Sequence, residues 1–314
     1  MEGFKTARGR DGKRAFVIPI DRSYRDAEFL RYDRMSMADY LAQNGWDSEY
    51  LRWYVNYCCR DDYGCWMEDA SAWAGIHYFA SRTGGAANAG AQSVLTWPEG
   101  NDWMVKRMKA RLRGGIRSGA LVFNVEPNGK KTIVDYYDVV SQASTRVNSD
   151  RVIFAAPRFV AMKTLADFRS KAPPYAGSFT YAPWMVANLT LISPLEDQGA
   201  PLAWDNVFYR SASLGYVVAT HQRLERFLPK TVLTYYLPLT ERKPAEARRL
   251  AQVRSYEEWV EGILRDMGRV HPDFEEKLEH LDVWLWGHGM IRPAPGFIWG
   301  GFRQEALLPH GHIF

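Results

Sequence analysis

The 314 residues are enough for two ordinary domains and a sizeable core. Forty basic against 36 acidic residues give a net charge of +4, which excludes a dedicated nucleic-acid binder, because that role wants a concentrated basic face. No apolar run approaches the ~20 residues needed to span a bilayer, and the N-terminus does not read as a signal peptide.

Three cysteines, Cys58, Cys59 and Cys65, are too few and too unevenly spaced for a disulfide framework or a zinc site. They read as buried thiols of a reducing compartment, and the cytoplasm is the expected location. The aromatic share of 14%, with 12 Trp and 17 Tyr, suits either an enclosed planar ligand or a large aromatic core.

In chain order, Ala15–Ile20 reads as a short strand. Ser36-Met37-Ala38-Asp39 is a capping box for a helix carrying Met37, Tyr40 and Leu41 and ending at Gly45. Asp47-Ser48 opens a second helix, with Leu51, Tyr54, Val55, Cys58 and Cys59 on its buried side, followed by Arg60-Asp61-Asp62. A third helix near Ala70–Ser81 carries His77 among aromatics, where a satisfied core histidine is the reading. Gly84–Ala91 is a small-residue loop and the candidate hinge.

Asn101–Arg113 then has helical spacing of Met104, Val105, Met108 and Leu112. Ala120–Glu126, the Pro127-Asn128-Gly129 turn and Thr132–Val140 read as a two-stranded ribbon. Val152–Ala156 suits a central strand buried on both faces and ended by Pro157. A helix over Phe159–Phe168 is broken by Ala172-Pro173-Pro174. Strands follow at Trp184–Ile192, Asn206–Tyr209, Gly215–Thr220 and Thr231–Pro238, helices at Pro244–Val253 and Tyr256–Met267, and a last strand at Val283–Trp286. Ser255 and Glu258 form a second capping box.

The order running from Thr96-Trp97-Pro98-Glu99-Gly100 through a helix and a β-ribbon to Asp150-Arg151-Val152-Ile153-Phe154-Ala155-Ala156-Pro157 resembles the middle of the flavin-dependent (FAD) amine oxidases and related amine oxidoreductases. The resemblance covers Leu95–Ala161. It implies an α+β fold with an α/β remnant: an amine-oxidase-like substrate domain of helices on a mixed, mostly antiparallel sheet, plus the ribbon and strand of an FAD-binding domain. Residues 1–92 would be the helical part of the substrate domain, 93–163 the partial FAD domain, 164–290 the substrate-domain sheet and helices, and 291–314 a return towards the FAD domain.

The resemblance further implies FAD as cofactor, with Val122, Val125, Ala155, Ala156 and Pro157 on its adenosine side, and a small organic molecule as substrate, oxidised by hydride transfer. Trp184, Trp204, Tyr209, Trp286 and Trp299 come from the elements that would flank the ligand. His288, between Gly287 and Gly289, is the candidate histidine beside them. Arg60-Asp61-Asp62 would either orient a polar substrate or pair Arg60 with an Asp at a helix end. No metal site is expected; His310 and His312 do not make one.

The family's opening strand, Gly-x-Gly-x-x-Gly turn and helix are missing. Gly287-His288-Gly289 comes nearest, but Arg292 replaces the third glycine and Pro293 forbids a helix. Gly85–Gly90 has phosphate-loop spacing, yet Ala91-Gln92 stands in place of Lys-Ser/Thr. The chain therefore reads as an internal fragment without either flavin-anchoring end, expected to bind FAD weakly or not at all. The rival reading is a flavin-free binding or assembly subunit. A hydrolase using Asp61 or Asp62 lacks a paired acid–base motif.

Overall fold

The computed structural model describes residues 2–83, 87–90, 95–196, 201–223 and 229–314, so half of the expected hinge and Ser93-Val94 lie outside the described residues. Two compact units are present. The first joins Met1–Val105 to Tyr181–Ile298, and the second joins Lys106–Thr180 to Trp299–Phe314. The strands are β1 (Ala120–Asn128), β2 (Lys131–Asp138), β3 (Ala143–Ser149), β4 (Tyr181–Leu191), β5 (Asp205–Asn206), β6 (Tyr216–Val218), β7 (Thr231–Pro238) and β8 (Leu278–Ile291).

In the first unit the strands form a five-stranded antiparallel sheet in the order β5-β6-β7-β4-β8. The side chains of β4 alternate across it. Met185, Ala187, Leu189 and Leu191, with Leu233 and Tyr235 of β7 and Leu281 of β8, face the helices Pro244–Val253 and Tyr256–Gly268. There they bury Ala251, Trp259, Ile263 and Met267. Each fully buried large apolar side chain in such a layer contributes about 1.5–3 kcal/mol. Ala182 and Trp184, of opposite parity, meet Tyr57 and Cys58 of the helix Glu49–Tyr63.

Local signals place the helices. The Ser255 hydroxyl accepts from the Glu258 N–H at 3.2 Å, while Glu258 Oε2 accepts from the Ser255 N–H at 2.8 Å. Ser36 and Asp39 form the same reciprocal pair ahead of the helix Met37–Gln43. Ser255→Ala is expected to lower stability by about 1 kcal/mol, read as a shift in the urea midpoint with an unchanged slope.

In the second unit β1, β2 and β3 form an antiparallel ribbon of three strands rather than the expected two. Val125 packs there with Ala161, Leu165 and Ile313. The expected helix Phe159–Phe168 is split into Arg158–Thr164 and Ala166–Ser170, because Leu165 leaves helical geometry (φ −76°, ψ 122°) and bridges Val125 in parallel. Residues 164–180, expected with the substrate domain, pack within this unit: Phe168 meets Tyr175 edge-on at 6.4 Å.

Three other expectations are corrected. Val152–Ala156 is not a central buried strand. Val152 bridges only Ile313, in parallel, and Ile153 is 82% exposed, because no described strand covers its other side. Ala15–Ile20 is not a strand, since side chains rather than a ladder occupy its backbone: Val17 N–H donates to Ser23 Oγ, and Val17 O contacts His77 Nε2 at 2.9 Å. The helix expected over Asn101–Arg113 spans only Asp102–Lys109, with Met104, Val105 and Met108 largely exposed. Among the described residues no helix is long and apolar enough to cross a membrane.

Candidate functional site

The cross-strand register assembles the side of the sheet away from the two C-terminal helices. Trp184 lies opposite Trp286, and Val186 lies opposite both Tyr236 and Trp284, so Tyr236, Val186 and Trp284 form one row across β7, β4 and β8. The next row places Asn188 between Thr234, whose hydroxyl donates to Asn188 Oδ1 at 3.1 Å, and Asp282. Trp284 and Trp286 are both more than half exposed, an unusual outlay of aromatic surface on one sheet edge.

The helix Glu49–Tyr63 brings charge to this side. It ends at Gly64 in the left-handed region (φ 60°), and a Cβ there would stand 2.4 Å from Ala182 Cβ and 2.8 Å from Trp184 Nε1. Glycine thus supplies both the helix stop and the close seating on β4. The seating aims Tyr57 at β5. The Tyr236 hydroxyl donates to Asp205 Oδ1 at 2.7 Å and the Tyr57 hydroxyl to Oδ2 at 3.4 Å. Burial, then the neighbouring carboxylate charges, push the Tyr57 phenol up. Burial and the hydrogen bond to Asp205 do the same for Tyr236.

Asp61, one turn beyond Tyr57, is pushed up to about 7, first by burial and then by the like charges of Asp62 and Asp205; the Arg82 guanidinium offsets this only partly. Asp62 is spoken for by Arg82, which meets its two oxygens at 2.8 and 3.0 Å. Arg60 does not pair with either Asp. It donates to the Ala212 carbonyl and lies over the Trp66 ring at 4.9 Å. The result is a carboxyl that is half ionised at neutral pH, beside a carboxylate clamped by two phenols. Such a group can donate or accept a proton, or bind a cation when ionised.

The sequence-predicted residues fall into several places. Trp184 is buried against the end of the Glu49–Tyr63 helix, and Trp286 is its exposed cross-strand neighbour. Trp204 stands beside His221 at 5.7 Å, and Tyr209 meets Trp53 at 4.7 Å and stacks on Tyr50. His288 contacts Tyr181 at 5.6 Å, and its pKa is lowered by burial and by the Arg248 charge; the bulge opposite Pro183 turns it out of the Trp284–Trp286 alternation. These aromatics therefore do not make one wall. Trp299 belongs to the second unit.

His77 is a core histidine stacked on Trp73 at 5.0 Å, its pKa lowered by burial. The three thiols are buried, and burial pushes Cys58 up to about 12 and Cys65 up to about 11. Leu51 and Tyr54, expected to be buried, are 37% and 47% exposed and line an open apolar cleft with Trp46 and Phe79. Trp284 was not singled out by sequence, although its i, i+2 spacing from Trp286 puts both on one strand face. Tyr236 and Asp205 carried no sequence signal, since their contact joins separate strands.

On the side expected to hold FAD, the residues fit poorly. Val125 is 2% exposed and its backbone is bridged to Leu165, so it is closed to an adenine. Val122 and Ala155–Pro157 are exposed, but no glycine turn among them cradles a pyrophosphate. They could line an adenosine at most.

No protein-family model matches the sequence, and no curated protein matches it. Solved structures do match. Cyclohexylamine oxidase from Brevibacterium oxydans aligns with TM-score 0.60 at 11% identity over 90% of this chain and 62% of its own. Putrescine oxidase bound to putrescine aligns with TM-score 0.60 at 17% identity over 90% and 62%. A fatty acid isomerase from P. acnes aligns with TM-score 0.56 at 17% identity over 90% and 61%. The chain has the fold of these amine oxidases and spans less than two thirds of their length. The isomerase shows that the fold alone does not choose the substrate.

Proposed function

We propose that this chain is the substrate-side part of an FAD-dependent oxidoreductase of the amine oxidase type, which presents a small amine to a flavin for hydride transfer. The observation that carries the reading is Asp61, with its raised pKa, beside the phenol-clamped Asp205 on the side of the sheet away from the two C-terminal helices. An ammonium group finds negative charge there and its hydrocarbon finds the rings of Tyr57 and Tyr236, whereas a fatty acid would meet like charge. Tyr57 and Tyr236 hold Asp205 in place. FAD, where bound, supplies the redox chemistry. The pyrophosphate-anchoring segment lies outside this sequence in this reading, so the chain purified alone is expected to be colourless. Stoichiometric flavin absorbance after incubation with FAD and dialysis would refute that.

The substrate side is tested directly with putrescine, the ligand named for one of the related structures. Binding, followed by calorimetry, is expected to strengthen as pH rises from 6 to 8, because Asp61 ionises through about 7. Asp61→Asn should flatten this dependence, and Tyr236→Phe, which releases Asp205 from its 2.7 Å clamp, should weaken binding several-fold at every pH. Binding that is indifferent to both substitutions would favour the flavin-free assembly subunit, a reading to which the poor fit for a pyrophosphate also points.

A further inference from the structure

The helix-covered side of the same sheet holds a cavity that the proposed activity does not use. It has a volume of 280 Å³ and a mainly apolar surface, on which Met185, Leu237 and Trp259 supply the hydrocarbon and indole contacts. At that volume it lies at or just below the lower end of ordinary ligand sites, so an occupant must be small.

Its polar wall is built around Asp266. That carboxylate accepts from Ser211 Oγ at 2.7 and 2.8 Å, from Ser213 Oγ at 2.6 Å and from the Tyr235 hydroxyl at 3.0 Å, and Arg269 stands 3.4 Å away. Its lone pairs are therefore occupied by the protein itself, which leaves little for a bound cation.

The arginines at the cavity decide the sign of its charge. Arg265 is tied to Glu261 and Arg269 to Asp266. Arg254 has no carboxylate partner among the described residues. One of its N–H groups donates to the Glu258 carbonyl at 3.0 Å, and its guanidinium lies 4.2 Å from the Trp259 ring centroid. A guanidinium has five donors, so stacking holds this exposed one beside the cavity while most of its donors face solvent, where a bound anion can take them. The charge also reaches inward: burial raises the Tyr235 phenol, and Arg254 pulls it in the opposite direction.

We propose that this cavity binds a small organic anion, with a carboxylate at Arg254 and an aromatic or branched apolar body against Trp259, Met185 and Leu237. The site does not depend on the oxidoreductase reading, because it lies across the sheet from Trp284 and Asp61 and needs no flavin.

The test is calorimetry with phenylacetate, and with 2-phenylethanol as the neutral molecule of matching body. Phenylacetate should bind saturably at one site, more tightly than the alcohol, and should weaken as salt rises. Arg254→Gln should weaken phenylacetate about tenfold or more while leaving the alcohol unchanged, and Arg254→Lys should recover part of the loss. Trp286→Ala, on the other side of the sheet, should change nothing. Absence of saturable binding, salt-independent binding, equal affinity in Arg254→Gln, or loss of binding in Trp286→Ala each overturns the assignment. If Arg254→Gln proves unfolded by circular dichroism, the salt dependence and the alcohol comparison in the unsubstituted protein decide.

Discussion

Asp61→Asn is expected to raise stability at pH 8 by on the order of 2–4 kcal/mol and to leave it nearly unchanged at pH 4. The folded-state pKa of Asp61 is raised from an ordinary 3.8 to about 7. The folded protein therefore holds this proton more tightly than the unfolded chain, so the carboxyl favours folding below about pH 4 and progressively opposes it as pH rises to 7. Asparagine keeps the shape without the charge. The groups that face Asp61 reinforce the sign: Tyr57, Tyr78, Tyr236 and Cys58 resist ionisation beside it, Asp62 and Asp205 repel it, and Arg82 is engaged by Asp62. Urea unfolding at the two pH values decides the matter, and an equal effect at both would mean that Asp61 titrates as an ordinary carboxyl.

Gly64→Ala should cost about 3 kcal/mol. A left-handed conformation costs a non-glycine residue roughly 1–2 kcal/mol, and overpacking against a strand typically adds about 1–3 kcal/mol. The added methyl would sit 2.4 Å from Ala182 Cβ and 2.8 Å from Trp184 Nε1, both on a strand fixed between two neighbours. The steric part is separable: in an Ala182→Gly background the same substitution should be milder by about 1 kcal/mol, while the backbone part persists. Additive losses would show that the seating of the Glu49–Tyr63 helix on β4 is looser than this spacing requires. Because that seating aims Tyr57 at Asp205, Gly64→Ala should also weaken putrescine binding.

What was legible in the sequence is what local chemistry fixes. The strand Thr231–Pro238 and the helix Pro244–Val253 occur with the expected bounds, because alternation ends at one proline and a helix begins at another. Both capping boxes form for the same reason. Non-local pairing defeated the rest. Ala143–Ser149 is polar apart from Ala143 and Val147, is exposed almost throughout, and becomes a strand only because Lys131–Asp138 offers it an edge. Val152–Ala156 has the composition of a buried strand, but burial is set by neighbours, and it has one. At the candidate site Trp184 and Trp286 were visible as aromatics, yet their opposite exposures depend on where the Glu49–Tyr63 helix lands. Asp61 stood out as a charge; its unusual proton affinity arises first from burial under the fold and then from the charges of Asp62 and of Asp205, 144 positions along.

The long last strand of the five-stranded sheet has a consequence for how copies of this protein meet. β8 runs for 14 residues at the sheet's edge, with one side unpaired among the described residues. A row of open N–H and C=O groups beside Trp284-Leu285-Trp286 can add a strand from a second molecule. Two features restrict that. Glu279 and Asp282 put charge along its first half. Beyond Trp286, Gly287-His288-Gly289 bulge opposite Pro183 of β4, which breaks the regular spacing of donors and acceptors. Strand-to-strand stacking would therefore stop at Trp286, and the glycine bulge, whatever it does for a ligand, also works as a guard against open-ended assembly in concentrated solution.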